Sequence, residues 1–281
     1  MNNITLFNLF SNACSRSITR QYSTSFYSAI KLLSPEIRIP ICGIYGMVRL
    51  ADEIVDTFHD FDKATLLAQF KEDTMNAVTR KISLNPVLQC FQQTVNRYGI
   101  EESLIVAFFE SMETDLFKCK YADREEFQRY IYGSAEVVGL MCLRVFCDGD
   151  KMQYDELKPY AMALGAAFQK VNFLRDLGAD VSELRREYFP GFDKANFDRV
   201  FKEKIEREIA EDFELAYQGI KKLPVNARFG VYVAYRYYMA LFRKARRSNA
   251  EIVLNQRIRI PNYTKAIIVL KAGLRSRLNM I

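Results

Sequence analysis

Two segments of this chain that are otherwise apolar each carry two aspartates four residues apart, Asp52/Asp56 and Asp176/Asp180. If both segments are helical, each pair lies on one helix face with about 6 Å between neighbours. Two such faces opposed across a cavity would hold hard divalent cations. The chain has a single histidine (His59) and no cysteines at metal-binding spacing, and oxygen-only ligands select magnesium or manganese over zinc. Magnesium keeps several waters and bridges to phosphate oxygens, so the implied ligand is a phosphate or a diphosphate.

Other polar residues fall in phase with the aspartates. Tyr45, Arg49, Asp52 and Asp56 follow at i, i+4, i+7 and i+11, and Gln169, Asn172, Asp176 and Asp180 at i, i+3, i+7 and i+11. The residues around both stripes are apolar, as in buried helices. Buried carboxylates need cations, and each segment offers one nearby basic residue, Arg49 or Arg175. Metal therefore fits as the remaining counter-charge. An acidic pair on a surface helix is commonplace, and Glu208/Asp212 and the isolated Asp60 read as solvated.

Elements able to position these faces run along nearly the whole chain. Apolar periodicity predicts helices at about 4–32, 35–59, 63–80, 86–98, 102–118, 123–147, 153–182, 198–222, 225–248 and 262–279. Pro35, Pro86 and Pro159 suit opening turns, and Gly99 suits a C-terminal cap. With 12 glycines, 7 prolines, no strand pattern and no linker-like run, 281 residues read as one all-α domain, 1–281, with a sizeable core.

Six scattered cysteines indicate neither a disulfide framework nor zinc, and fit a reducing cytoplasm. No Lys or Arg precedes Arg16, which makes the N-terminus a poor secretory signal. No run approaches the ~18 apolar residues of a membrane span. Charge is uneven: Arg243–Ile281 holds ten Lys or Arg against the single acid Glu251. That basic end suits peripheral contact with an anionic membrane; no recognition motif accompanies it, so nucleic acid is not an expected partner.

The motifs resemble those of the trans-isoprenyl diphosphate head-to-head synthases, the family of squalene, dehydrosqualene and phytoene synthases. The likeness runs through Ser23–Tyr27, Ile44–Asp56, Met112–Leu116, Tyr132–Gly139, Gln169–Asp180 and Tyr188–Pro190, in the family's order. It implies a class I isoprenoid (terpenoid) synthase fold, a helical bundle around a central cavity. It also implies that Asp52, Asp56, Asn172, Asp176 and Asp180 organise Mg2+ or Mn2+, with Gln169 assisting. Arg49 and Arg175 would hold diphosphate oxygens, Ser25 and Phe26 would lie near the substrate, and Tyr45, Tyr132 and Tyr188 would face the reacting carbons. Two departures stand out: no tyrosine near Glu251 and Ile252, and one more residue than the family has between Asp180 and Tyr188.

The family's reaction joins two prenyl diphosphates through a cyclopropylcarbinyl diphosphate and then removes the second diphosphate. Ile30 and Cys42 stand where bulky aromatics are expected in an enzyme for C15 chains, so the expectation is C20 geranylgeranyl diphosphate, phytoene as product, and a place in carotenoid biosynthesis. Phytoene forms by proton loss and needs no NADPH; squalene would require it. The alternatives are a squalene or dehydrosqualene synthase acting on farnesyl diphosphate and, from another class, a non-catalytic assembly factor. Such factors usually lose aspartates, and both pairs are intact here.

Overall fold

Proline and glycine mark several ends as anticipated: Pro35 and Pro86 sit at the first helical positions, where a missing amide hydrogen leaves no bond unmade, and Gly99 closes its helix at φ 63°. The structure, a computed structural model, describes residues 2–182, 186–194 and 197–277. In chain order the helices are α1 (Asn3–Tyr22), α2 (Thr24–Ile30), α3 (Pro35–Asp56), α4 (Lys63–Arg80), α5 (Pro86–Tyr98), α6 (Glu102–Phe117), α7 (Arg124–Ile131), α8 (Val137–Cys147), α9 (Lys151–Ser182), α10 (Arg199–Lys222), α11 (Val225–Arg247), α12 (Ala250–Asn255) and α13 (Asn262–Arg277). A five-residue π turn, Tyr132–Glu136, joins α7 to α8. No strand occurs among the described residues, only one isolated bridge between Lys120 and Glu187.

Several boundaries differ from the periodicity. The predicted helix 4–32 is two helices, because Ser23 is extended (φ −144°, ψ 91°) and its side chain accepts a hydrogen bond from the Phe26 amide. The stretch after 248 contains α12, capped by the Asn249 side chain on the Ile252 amide. Pro159 lies inside α9, two turns from its start, and deprives one carbonyl of its donor without ending the helix. The last positions of the predicted helix 262–279 lie outside the described residues.

The 32-residue α9 is the central strut, packed against α8, α10, α11, α12 and the π turn. Glycines allow these approaches. A Cβ on Gly165 would stand 2.6 Å from the Ala135 carbonyl oxygen, and one on Gly178 only 2.2 Å from that of Leu254 in α12. Gly178→Ala must therefore push α12 off α9. The expected result is a loss of about 1–3 kcal/mol in a denaturant melt, together with release of the Arg257 that follows α12.

The path Arg124–Cys147 is long and apolar enough to cross a membrane by length and composition, contrary to the reading of the bare sequence. Phe127, Tyr130, Ile131, Val137, Leu140, Met141 and Leu143 are instead buried in the core. Within the same path, burial pushes the Glu136 carboxyl up to about 7 against the opposing charge of Lys170, with Asp212 adding to the rise. A raised folded value means stability is full below the ordinary value of 4.5 and falls as pH rises through about 7. Glu136→Gln should flatten that fall and gain about 1–2 kcal/mol near pH 8, the figure being discounted because the side chain is only half-buried. Melts across this pH range check it.

Candidate active site

One cavity of about 610 Å³ runs through the bundle. From α3 it is lined by Ile41, Tyr45, Val48, Arg49, Asp52 and Asp56, and from α9 by Leu157, Tyr160, Ala161, Leu164, Gly165, Phe168, Gln169, Asn172, Phe173, Arg175, Asp176 and Asp180. Each set recurs every three or four residues, so each helix presents one face. The two anticipated polar stripes thus meet in one chamber. Apolar residues continue the α9 face from Phe168 down to Leu157, and the lining from Leu157 to Asp180 follows about 35 Å of helix at 1.5 Å per residue.

The acidic end is electrostatically loaded. Burial first, then Asp56, pushes the Asp52 carboxyl up to about 7. Asp180 is likewise pushed up to about 7, by burial, then Asp176, then Asp56 from the opposite motif, so the two pairs are close enough to sense each other. Among the described residues no ion pair reaches Asp52 or Asp180. Neighbouring acids within each motif do have cations: Arg175 Nε donates to both Asp176 oxygens at 3.0 Å, and Arg49 pairs with Glu53 along its own helix.

Two arginines that belong to neither helical stripe complete this end. Arg186, 8% exposed, donates from Nη1 to Asp56 Oδ1 at 2.6 Å and to the Tyr188 hydroxyl at 3.4 Å, and from Nη2 to the Asp115 carbonyl at 3.1 Å. Arg257 reaches Asp176 Oδ1 at 2.9 Å from the segment after α12. The expectation of one basic residue per motif is corrected here: the extra cations arrive from irregular segments far away in sequence. Asp115 is a further buried acid in the lining, accepting from Tyr130 OH at 2.6 Å and Tyr121 OH at 3.4 Å, with its carboxyl pushed up to about 7 by burial.

Aromatic rings form the walls beside these charges. Phe173 stacks on Tyr188 at 3.8 Å between centroids, Tyr130 lies 5.6 Å from Tyr188, Phe26 stacks on Tyr45 at 5.3 Å, and Phe168 on Tyr238 at 3.8 Å. All these rings line the cavity. Burial holds the Tyr45 phenol up at about 12 and raises those of Tyr130 and Tyr188 further, so the rings face the chamber neutral.

Three sequence-based placements need correction. Tyr132 is 37% exposed and does not line the cavity; Tyr130 and Ser134, one turn apart, hold the inward face, and Tyr132 falls on the opposite side. Ser25 also stands off the lining, which instead follows Tyr22, Ser23, Phe26, Ala29 and Ile30. Cys42 is buried beside Thr19 and Cys90, away from the chamber, while Ile41, four residues before Tyr45 and one before Cys42, faces inward. Ile30 does line the cavity. The interval between Asp180 and Tyr188 lies partly outside the described residues.

The donor set fits a hard cation. Asp52 and Asp180 are crowded carboxylates without an ion-pair partner, and Asn172 Oδ1 is a buried acceptor with no donor. Among the described residues no three acidic, histidine or cysteine groups converge as a ready-made cage. That agrees with an ion taking one or two protein oxygens and completing its shell from water and phosphate.

Comparison with known proteins agrees with this arrangement. Residues 19–198 match the family described as squalene/phytoene synthase. A phytoene synthase of Arthrospira platensis is 27% identical over 93% of this chain and 92% of its own length, and a 15-cis-phytoene synthase of Synechococcus elongatus is 27% identical with the same coverages. Among solved structures, a dehydrosqualene synthase in complex with ligand superposes with a TM-score of 0.84 at 18% identity, covering 96% of this chain and 98% of that one. A squalene synthase from Alicyclobacillus acidocaldarius gives 0.74 at 19% identity, covering 88% and 95%. With a family match across well over half its length and the same helical fold around one cavity, this chain belongs to the squalene/phytoene synthase family of prenyltransferases.

Proposed function

We propose that this protein joins two geranylgeranyl diphosphates head to head to give phytoene, in carotenoid biosynthesis. The observation that carries the reading is a single chamber with both aspartate pairs at one end and an apolar wall continuing toward Leu157. The full-length relatives named as phytoene synthases support the same choice.

Asp52, Asp56, Asn172, Asp176 and Asp180 would hold magnesium. When bound, the ion neutralises diphosphate charge so that an allylic carbon–oxygen bond can ionise. Arg175 and Arg257, gathered on Asp176, and Arg49, whose Nε has no partner, offer planar donors to phosphate oxygens. The faces of Tyr45, Phe26, Tyr130 and Tyr188 stabilise positive charge on the chain and keep water from capturing it.

The test is product identification after incubating the pure protein with magnesium and either C15 or C20 diphosphate, with and without NADPH. Phytoene from the C20 substrate, unaffected by NADPH, is expected. Product from C15 alone, or none from either, overturns the reading. Ile30→Phe supplies a second check. A ring in place of Ile30, one turn beyond Phe26 on the same lining, should shift the kcat/KM ratio toward C15 by roughly 10-fold, the scale at which pocket volume discriminates.

A further inference from the structure

The basic C-terminal region ends in a helix that is apolar on two sides. α13 rests on α11 through the buried Ile268 and Ala272. On its opposite side Tyr263, Ile267, Leu270 and Leu274 are 69%, 44%, 69% and 63% exposed. Their spacings of four, three and four residues make one continuous outward stripe. Singly exposed apolar residues are ordinary; an aligned row of four large ones marks a contact surface.

Charge says what kind of surface. From Ile252 onward the chain carries six Lys or Arg and no Asp or Glu. Lys271 lies beside the stripe in solvent, Lys265 is half-buried on the same helix, and Arg243, Lys244, Arg246 and Arg247 are exposed at the end of α11, the helix that carries α13. We propose that the outward face of α13 seats this protein on an anionic lipid surface, with the stripe entering the headgroup boundary and the flanking cations meeting phosphate. A second copy of the chain is the poorer occupant, because a symmetric contact would set the same cationic patch against itself. Nucleic acid would meet the cations but leave the apolar stripe in water. Neither observation involves the chemistry of the cavity, so the inference stands apart from the proposed reaction.

Sedimentation of the full chain with phosphatidylcholine vesicles, with and without phosphatidylglycerol, tests it. Binding is expected on the anionic vesicles, weak on the neutral ones, and reduced by added salt. Leu270→Gln/Leu274→Gln and Lys265→Gln/Lys271→Gln should each lower partitioning by roughly 10-fold or more. The stripe variant should leave the melting temperature unchanged, because its two side chains point away from the core. No binding to anionic vesicles, equal binding to neutral ones, or an unaltered stripe variant overturns the proposal. So does light scattering that shows a dimer dispersed by the stripe substitutions.

Discussion

Asp52→Asn and Asp176→Asn should each lower turnover of C20 diphosphate by about three orders of magnitude, the scale of removing a preorganised charge partner at a reacting group. Their effects on the resting fold should differ in sign. Asp52 is held near its neutral form, pushed up to about 7 by burial and then by Asp56. An amide at this position keeps the shape and removes the disfavoured charge, so the metal-free melting temperature should hold or rise at neutral pH. Asp176 instead gathers Arg175 and Arg257. Asparagine there leaves two guanidiniums with a weaker acceptor, and about 1–3 kcal/mol should be lost. Thermal melts with and without magnesium and a diphosphate add a further readout, since ligand stabilisation follows RT ln(1 + [L]/Kd) and should collapse in both variants. An assembly factor with the same fold would keep its biological role under either substitution, whereas an enzyme loses turnover while staying folded.

What could be read from sequence was whatever repeats with the helix. Tyr45 through Asp56 and Gln169 through Asp180 keep a helical period, so their shared face was visible before any coordinates, and the structure lines one cavity with both. Errors arose where one residue decides orientation. Tyr130 and Tyr132 are of one type and two positions apart, yet only the one in phase with Ser134 faces inward. Counting four from Ser134 and Val138 would have found it. The same counting from Tyr45 separates the inward Ile41 from Cys42, which packs against Thr19. The break at Ser23 was hidden because the apolar periodicity runs on through it, although a serine three residues before Phe26 is a capping signal. Arg186 and Arg257 could not be found this way. They come from irregular segments where no period links them to Asp56 or Asp176, and only the folded chain brings them within 3 Å.

Arg186 should therefore be the position where one substitution damages the fold most. Its guanidinium is buried and joins Asp56, the Tyr188 hydroxyl and the Asp115 carbonyl. Burial works against its charge, but Tyr188, Asp115 and Asp56 hold it firmly protonated. It also counts among the charges that restrain the rise of Asp52, Asp115 and Asp180. Arg186→Gln leaves these acids in a low-dielectric pocket with less positive charge and breaks an ion pair that is buried on the arginine side but 42% exposed on the Asp56 side, which should cost about 2–3 kcal/mol, less than a fully buried pair. The loss should depend on pH in a definite direction. Asp115 already lies near 7, against an ordinary value of 3.8, and without the arginine it should rise further. A raised folded value gives stability that is full below 3.8 and lost as pH climbs through the folded value. The variant should accordingly approach the parent in acid and fall furthest behind it above neutrality. Adding Asp115→Asn should recover part of the deficit, because it removes the acid whose charge the arginine offset; purely steric damage would give equal deficits at every pH and no recovery. Urea titrations of the parent, the single and the double variants between about pH 5 and 8 separate these outcomes.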